Sequence, residues 1–331
     1  DSHQLAGSSD MLLSEYLDRW LADYAATLSP KTVDRYRQVV RSYVLPHLGA
    51  VRLDKLTPMH FVGLQTKLRD TDRRDGKGKL SPRSILHVHR VLHVAFRCAV
   101  QWRLLAVNPI DGVKAPKANQ QPMKCFDAEE AVRFLQACES EDAKWHAFFR
   151  MLIVTGARPG ELKALRWEDL DLSTGVAHIQ RHVQRIDGRG FVVGQPKTAG
   201  SRRSIAVGGE LVAVLRKHRA EQAAERLRLG SLWQHLDLVF PSDVGGFLDQ
   251  DRVYRVFTRI CQRAGVPKIR VYDLRHTSAT LLLANGVDLK TVSARLGHTD
   301  GSLVLKVYGH VLPGAQAAAS ETMEEVLRAA K

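Results

Sequence analysis

Four short motifs, from the middle of this chain onward, hold the residue types needed to break and remake a phosphodiester bond. TGARPGEL at 155–162 carries Arg158, PKT at 196–198 carries Lys197, YDLRHT at 272–277 carries Tyr272 and Arg275, and LGH at 296–298 carries His298, with Tyr308 following. Attack on a phosphodiester drives negative charge onto the non-bridging oxygens. Two guanidinium forks can hold those oxygens bidentately, where a lysine offers only a point charge. A tyrosine hydroxyl is neutral near pH 7 and a weak nucleophile, so it needs that help when no metal supplies it. Each motif alone is ordinary: an Arg-x-x-Glu ion pair on a helix, a turn at QPKTAGS, a helix end with glycine as the stop signal. Their order and spacing make them a set.

On these residues the chain resembles the tyrosine recombinase family, the integrases of phages and integrative elements, from about residue 11 to the end. Arg158 falls on the family's first arginine, Lys197 on the lysine of a β-hairpin, Arg275 on the second arginine, His298 on the histidine of the LGH box and Tyr308 on the nucleophile. Tyr272 departs from the pattern, because the family most often has a histidine three residues before the second arginine, although some members carry a tyrosine. Glu161, the RWEDLDL run at 166–172 and His276 extend the likeness. The resemblance implies metal-free transesterification. Tyr308 would form a 3′-phosphotyrosyl bond, Lys197 would protonate the leaving 5′-oxygen, and Arg158, Arg275 and His298 would hold the phosphate, with Tyr272 adding a hydrogen bond. No cofactor and no metal are expected, since the covalent bond stores the energy of the broken one and neither a phosphate loop nor a carboxylate cluster is present.

Composition fits a polyanionic partner. A formal charge of +14 and a pI near 9.8 suit phosphate contacts that release counterions, although RNA or an acidic membrane leaflet would also attract such a surface. No apolar run reaches spanning length and no signal peptide opens the chain, so a cytoplasmic or nucleoid-associated protein is expected. Cys98, Cys125, Cys138 and Cys261 are widely spaced and read as reduced thiols.

The expected architecture is mainly α with a small antiparallel β-sheet in a catalytic domain, arranged as a two-domain DNA clamp. Residues 1–10 form a disordered segment, 11–107 a helical core-binding, SAM-like domain, 108–124 a linker, 125–314 the α+β catalytic domain and 315–331 a tail helix. Helical periodicity runs over about 11–28, 31–48, 58–70 and 82–105. Ser29-Pro30, Thr57-Pro58 and Ser81-Pro82 provide N-caps with proline at the first helical position. Leu12, Tyr16, Trp20 and Tyr24 suggest a core stripe; Lys31, Arg35, Arg37 and Arg41 populate the next helix. His89 and His93 have metal-ligand spacing, but without a HExxH glutamate or a cysteine cluster they read as interface or DNA-facing residues. The prolines of the linker argue against regular structure there. Beyond it, Asp127 caps a helix to about 139 and an apolar helix leads into Arg158. Strands are expected near 176–184, 190–196 and 203–207, with Lys197 on the turn between the last two. Helices follow near 209–228, 250–265, 273–285, 289–296 and 302–309.

Double-stranded DNA attachment sites and a homotetramer on DNA are the expected partners, with an accessory DNA-bending or directionality factor and no membrane. The apolar stripe Met323, Val326, Leu327 and Ala330 serves either assembly or local packing. Three other readings share these motifs: a chromosome-dimer resolvase of the same family, a type IB topoisomerase-like enzyme and a catalytically dead DNA-binding regulator. The chain begins at Asp1 without an initiator methionine, which is compatible with an arm-binding domain upstream.

Overall fold

The structure, a computed structural model, describes residues 10–25, 27–73, 76, 78–118, 123–195 and 202–297, with 320, 323, 324, 327 and 328 of the tail. The chain divides into two compact units near residue 121. Among the described residues the first is helical: α1 Leu13–Ala25, α2 Pro30–Val39, α3 Leu45–Leu48, α4 Pro58–Asp70 and α5 Pro82–Gln101. Tyr16 and Trp20 are fully buried along α1 together with Leu13 and Leu17, while Leu12 stays half-buried and Tyr24 packs at the core's margin. The Tyr16 hydroxyl donates to the Ala95 carbonyl at 2.5 Å, which ties α1 to α5. The proline starts form as expected, with different caps. Ser81 accepts from the Ser84 N–H at 3.2 Å, and His60 Nδ1 accepts from the Thr57 N–H at 3.1 Å. Ser29 makes no side-chain cap and instead sits 2.8 Å from the Thr32 hydroxyl.

Two expectations for this unit change. The helix expected over 31–48 is interrupted by a π-turn at Val40–Val44, which inserts a residue while Val40 and Val44 stay buried. The stretch expected to begin a linker at 108 is partly core, because Ile110 and Val113 are buried against α4 and α5. Asn108 supports it by accepting the Ile110 N–H through its side chain. The histidines of α5 are spoken for: His87 accepts from Arg35 at 3.0 Å, His89 is buried beside Gln65, and His93 meets Asp111 at 3.1 Å.

The second unit packs helices around a small sheet. α6 Ala128–Cys138 opens with a capping box in which Asp127 accepts the Glu130 N–H at 2.7 Å. α7 Ala143–Thr155 is the buried axis of the core, with Trp145, Phe148, Phe149 and Leu152 inside. α8 Pro159–Leu162 follows. The strand expected over 176–184 is two strands in different sheets. β1 Leu170–Asp171, β2 Val176–Ile179 and β5 Arg203–Ala206 form a three-stranded antiparallel sheet in the order β1-β2-β5. β3 His182–Ile186 pairs with β4 Gly190–Gly194 separately. The break falls at Gln180-Arg181, where Arg181 turns to hold Asp169 of RWEDLDL at 3.0 Å. Among the described residues β4 and β5 belong to different sheets, and Lys197, between them in sequence, lies outside the described residues. α9 Gly209–Leu229, α10 Gln250–Ala264, α11 Asp273–Ala284 and α12 Leu289–Leu296 complete the unit. The stretch between α9 and α10, with no regular element expected, buries Leu238, Val239, Phe240 and Leu248. Cys98, Cys138 and Cys261 are buried and free, and Cys125 is half-buried. No described helix is long and apolar enough to cross a membrane.

Candidate active site

Gly156 begins the site. It ends α7 in the left-handed conformation, at φ +63°, and a Cβ there would sit 2.6 Å from Leu296 Cδ2 and 3.2 Å from Ser278 Oγ. The chain turns sharply and delivers Arg158 to the N-cap of α8. Glu161 closes the cap by accepting the Arg158 backbone N–H at 2.8 Å and its guanidinium at 2.8 Å. A residue in this position cannot swing freely, because one carboxylate fixes both its main chain and its side chain.

Arg275 comes from the first turn of α11 and is 1 % exposed. Its Nη1 donates to the Gly156 carbonyl at 2.7 Å and its Nη2 to the Leu296 carbonyl at 2.6 Å. Neutral acceptors orient the fork without cancelling its charge, and no described carboxylate pairs with it. Burial, and then the neighbouring Arg158 cation, lower its pKa to about 10. It stays charged at neutral pH, as a buried cation suited to an incoming anion.

Glu161 also receives Arg203, from the start of β5, at 2.9 Å and 3.3 Å. Burial opposes the Glu161 charge, but Arg203 and then Arg158 outweigh it and depress its pKa. Burial likewise works against the Arg158 cation, and Glu161 reverses that effect, with Tyr272 contributing, so that its pKa rises. Two guanidinium groups, those of Arg158 and Arg203, thus share one carboxylate, with the Arg275 cation near enough to feel its charge. Arg203 Nε further donates to the Arg295 carbonyl at 2.7 Å, next to the carbonyl that Arg275 holds.

Tyr272 stands just before α11, 42 % exposed, with its ring 5.6 Å from that of His276 in an edge-on arrangement. Burial lowers the His276 pKa, with Asp273 acting against it. Asp273 is itself buried and held by Arg270 at 2.6 Å, which anchors the start of the helix carrying Arg275.

The phage integrase family matches residues 124–314, and the N-terminal SAM-like domain of phage integrases matches residues 12–69. The chain belongs to the phage integrase family. It is a tyrosine recombinase, a site-specific DNA recombinase. Among its relatives is a tyrosine recombinase XerC-like protein of Caldanaerobacter subterraneus subsp. tengcongensis, 29% identical over 96% of this chain and 84% of that one. An integrase of Streptomyces ambofaciens is 30% identical over 89% of this chain and 75% of its own length. The fold is similar to that of the Tn1549 transposon integrase in complex with a circular intermediate DNA, at a TM-score of 0.76 and 19% identity, covering 95% of this chain and 100% of that one. It is also similar to that of a lambda integrase dimer bound to a COC′ core site, at a TM-score of 0.64 and 21% identity, covering 88% and 97% of the two chains.

Of the six residues expected in the recombinase's site, the structure brings Arg158, Arg275 and Tyr272 into one cluster. Lys197, His298 and Tyr308 lie outside the described residues, as does the helix expected over 302–309. In the tail, Met323 and Leu327 are exposed, while Val326 and Ala330 lie outside the described residues. Arg203 was not anticipated, although the sequence carries a signal for it. In RSIAV, Arg203 shares the period-2 face of Ile205 and Val207, which are 2 % and 7 % exposed, so it had to point inward.

Proposed function

We propose that this recombinase cleaves one strand of its DNA site by attack of the Tyr308 hydroxyl on phosphorus. The new P–O bond forms as the bond to the 5′-oxygen breaks, leaving a 3′-phosphotyrosyl ester and a 5′-hydroxyl. Arg158 and Arg275 hold the non-bridging oxygens, the Tyr308 phenolic proton passes to solvent, Lys197 gives its proton to the leaving 5′-oxygen, and His298 and Tyr272 donate hydrogen bonds to the same phosphate. The observation that carries this reading is Arg275: a guanidinium buried at 1 % exposure, oriented by two carbonyls and paired with no carboxylate among the described residues. Such a group is costly to fold unless an anion uses it. Rejoining runs the same step backwards with the 5′-hydroxyl of a second strand, and no cofactor enters the balance.

Strand exchange requires several protomers, and lambda integrase has been seen as a tetramer bound to a Holliday junction. A homotetramer on attachment-site DNA, assisted by an accessory DNA-bending or directionality factor in the bacterial cytoplasm, completes the proposal. Exposed Lys31, Arg35 and Arg41 of the first unit supply contacts to the phosphate backbone.

A nicked suicide substrate built from the DNA flanking the gene tests the chemistry. The wild-type protein should form an SDS-stable adduct, and Tyr308→Phe should retain DNA while forming none, since only the attacking oxygen is lost. An adduct persisting in the Phe variant would move the nucleophile elsewhere. Relaxation of plasmid without strand exchange would instead favour the topoisomerase-like reading, and specific DNA binding without any wild-type adduct the inactive regulator.

A further inference from the structure

Arg203 occupies a place that the reaction as described does not use. Its side chain is 6 % exposed and the Glu161 side chain 4 %, so this ion pair is sealed from solvent. Nη2 and Nη1 reach the two oxygens of Glu161 at 2.9 Å and 3.3 Å, while Nε reaches the Arg295 carbonyl at the end of α12 at 2.7 Å. Gly297, in the left-handed conformation, lies against the same side chain, and a Cβ there would meet Arg203 Cδ and Nη1 at 3.1 Å.

These contacts close a ring. Arg158 is fixed by Glu161, Glu161 by Arg203, and Arg203 by the Arg295 carbonyl. The next carbonyl, of Leu296, is held by Arg275, whose other nitrogen returns to Gly156, two residues before Arg158. A break anywhere in the ring lets the two phosphate-binding forks drift relative to each other. Arg203 is the member that ties β5 and α12 to the Glu161–Arg158 pair, and it does so with all three of its guanidinium nitrogens.

We infer that Arg203 is a positioning residue for phosphoryl transfer: it sets the spacing of the Arg158 and Arg275 guanidinium groups through Glu161 and the end of α12, without touching the phosphate. A lysine could keep the charge at this place. It has no planar fork with which to satisfy a carboxylate and a carbonyl together. The inference rests on the phosphate-binding roles proposed above for Arg158 and Arg275.

The test compares two suicide substrates, one with a normal phosphodiester and one with a methylphosphonate at the scissile position. Replacing a non-bridging oxygen by methyl removes the negative charge that the two forks stabilise. Arg203→Lys should slow adduct formation on the phosphodiester roughly 10- to 100-fold, the range expected when a stabilising group is displaced by about an ångström. On the methylphosphonate the loss should shrink to about threefold or less. Because both rates come from one preparation, their ratio does not depend on how much of the protein is folded. Arg203→Gln, which offers an amide but no charge, should shift the ratio in the same direction. Equal losses on the two substrates, or a wild-type ratio in Arg203→Lys, would overturn the positioning role. So would failure of both variants to give soluble protein, which would make Arg203 a folding residue. If the wild-type protein forms no adduct on the phosphodiester, the proposed chemistry itself falls.

Discussion

Arginine is used in two opposite ways in the two units. In the first unit Arg35 and Arg41 lie exposed on the second helical stretch, and Arg35 donates to His87. In the second, Arg275 and Arg203 are buried and oriented by backbone carbonyls and, for Arg203, by Glu161. Solvated charge gives attraction that is additive, screened by salt and tolerant of replacement. Buried charge gives geometry, and its loss leaves partners unpaired as well as a charge missing. A chain that must find DNA and then act on one phosphate needs both kinds.

The largest effect that would test this contrast is at Arg275. Arg275→Lys should reduce single-turnover adduct formation by roughly 10²–10³-fold, because a point charge cannot reproduce a fork aimed at two oxygens. DNA retention in a gel-shift titration should change little. A loss below about tenfold would mean that the buried charge alone matters and its geometry does not.

Histidine shows the same division. His93 is 45% exposed and pairs with Asp111, whereas His218 is 2 % exposed, its Nε2 donating to the Val239 carbonyl at 2.5 Å and its ring stacked on Phe240. Burial lowers the His218 pKa from 6.5 to about 4, with the Val239 bond opposing and Lys144 assisting. Between those values the unfolded chain binds the proton and the folded chain does not. Stability is therefore fully present above about pH 6.5 and is lost as pH falls towards 4, by up to about 3 kcal/mol. Urea titrations across that window should show the loss, and His218→Gln should flatten it. An unchanged slope in the variant would place the acid sensitivity in other groups.

The smallest effect belongs to the exposed cations. Lys31→Ala and Arg41→Ala should each leave unfolding free energy within about 0.5 kcal/mol of the parent while lowering the salt slope of DNA binding by about 1. Two slopes that stay at the parental value would remove this face from the DNA contact.

How much of this could be read from the sequence followed from how local each cause is. The caps at Ser81 and Asp127 act within one turn, and α12 was expected and found at 289–296. The π-turn at Val40–Val44 was hidden because the added residue keeps apolar side chains inward on both sides of it. The split of 176–184 was hidden for a different reason: β2 and β3 are both strand-like, and only Arg181 turning back to Asp169 separates them. Ile110 and Val113 were misplaced because the prolines around them outweighed two isolated apolar residues whose partners lie far back in the chain. At the site, Arg158 and Arg275 were legible as motif residues. Their link through Arg203 was not, since a basic run at a strand start usually faces water, and only its phase with Ile205 and Val207 says otherwise.

The crowding at Gly156 reaches beyond the single molecule. Its missing Cβ is the space that Leu296 Cδ2 fills, and its carbonyl is one of the two that hold Arg275. A lineage that enlarged residue 156 would have to trim residue 296 in the same ancestor and would still bear a strained left-handed turn. Evolutionary drift at these two positions should therefore be locked together. In a collection of relatives they should change as a pair or stay as Gly and Leu, while the exposed arginines of the first unit wander freely around them.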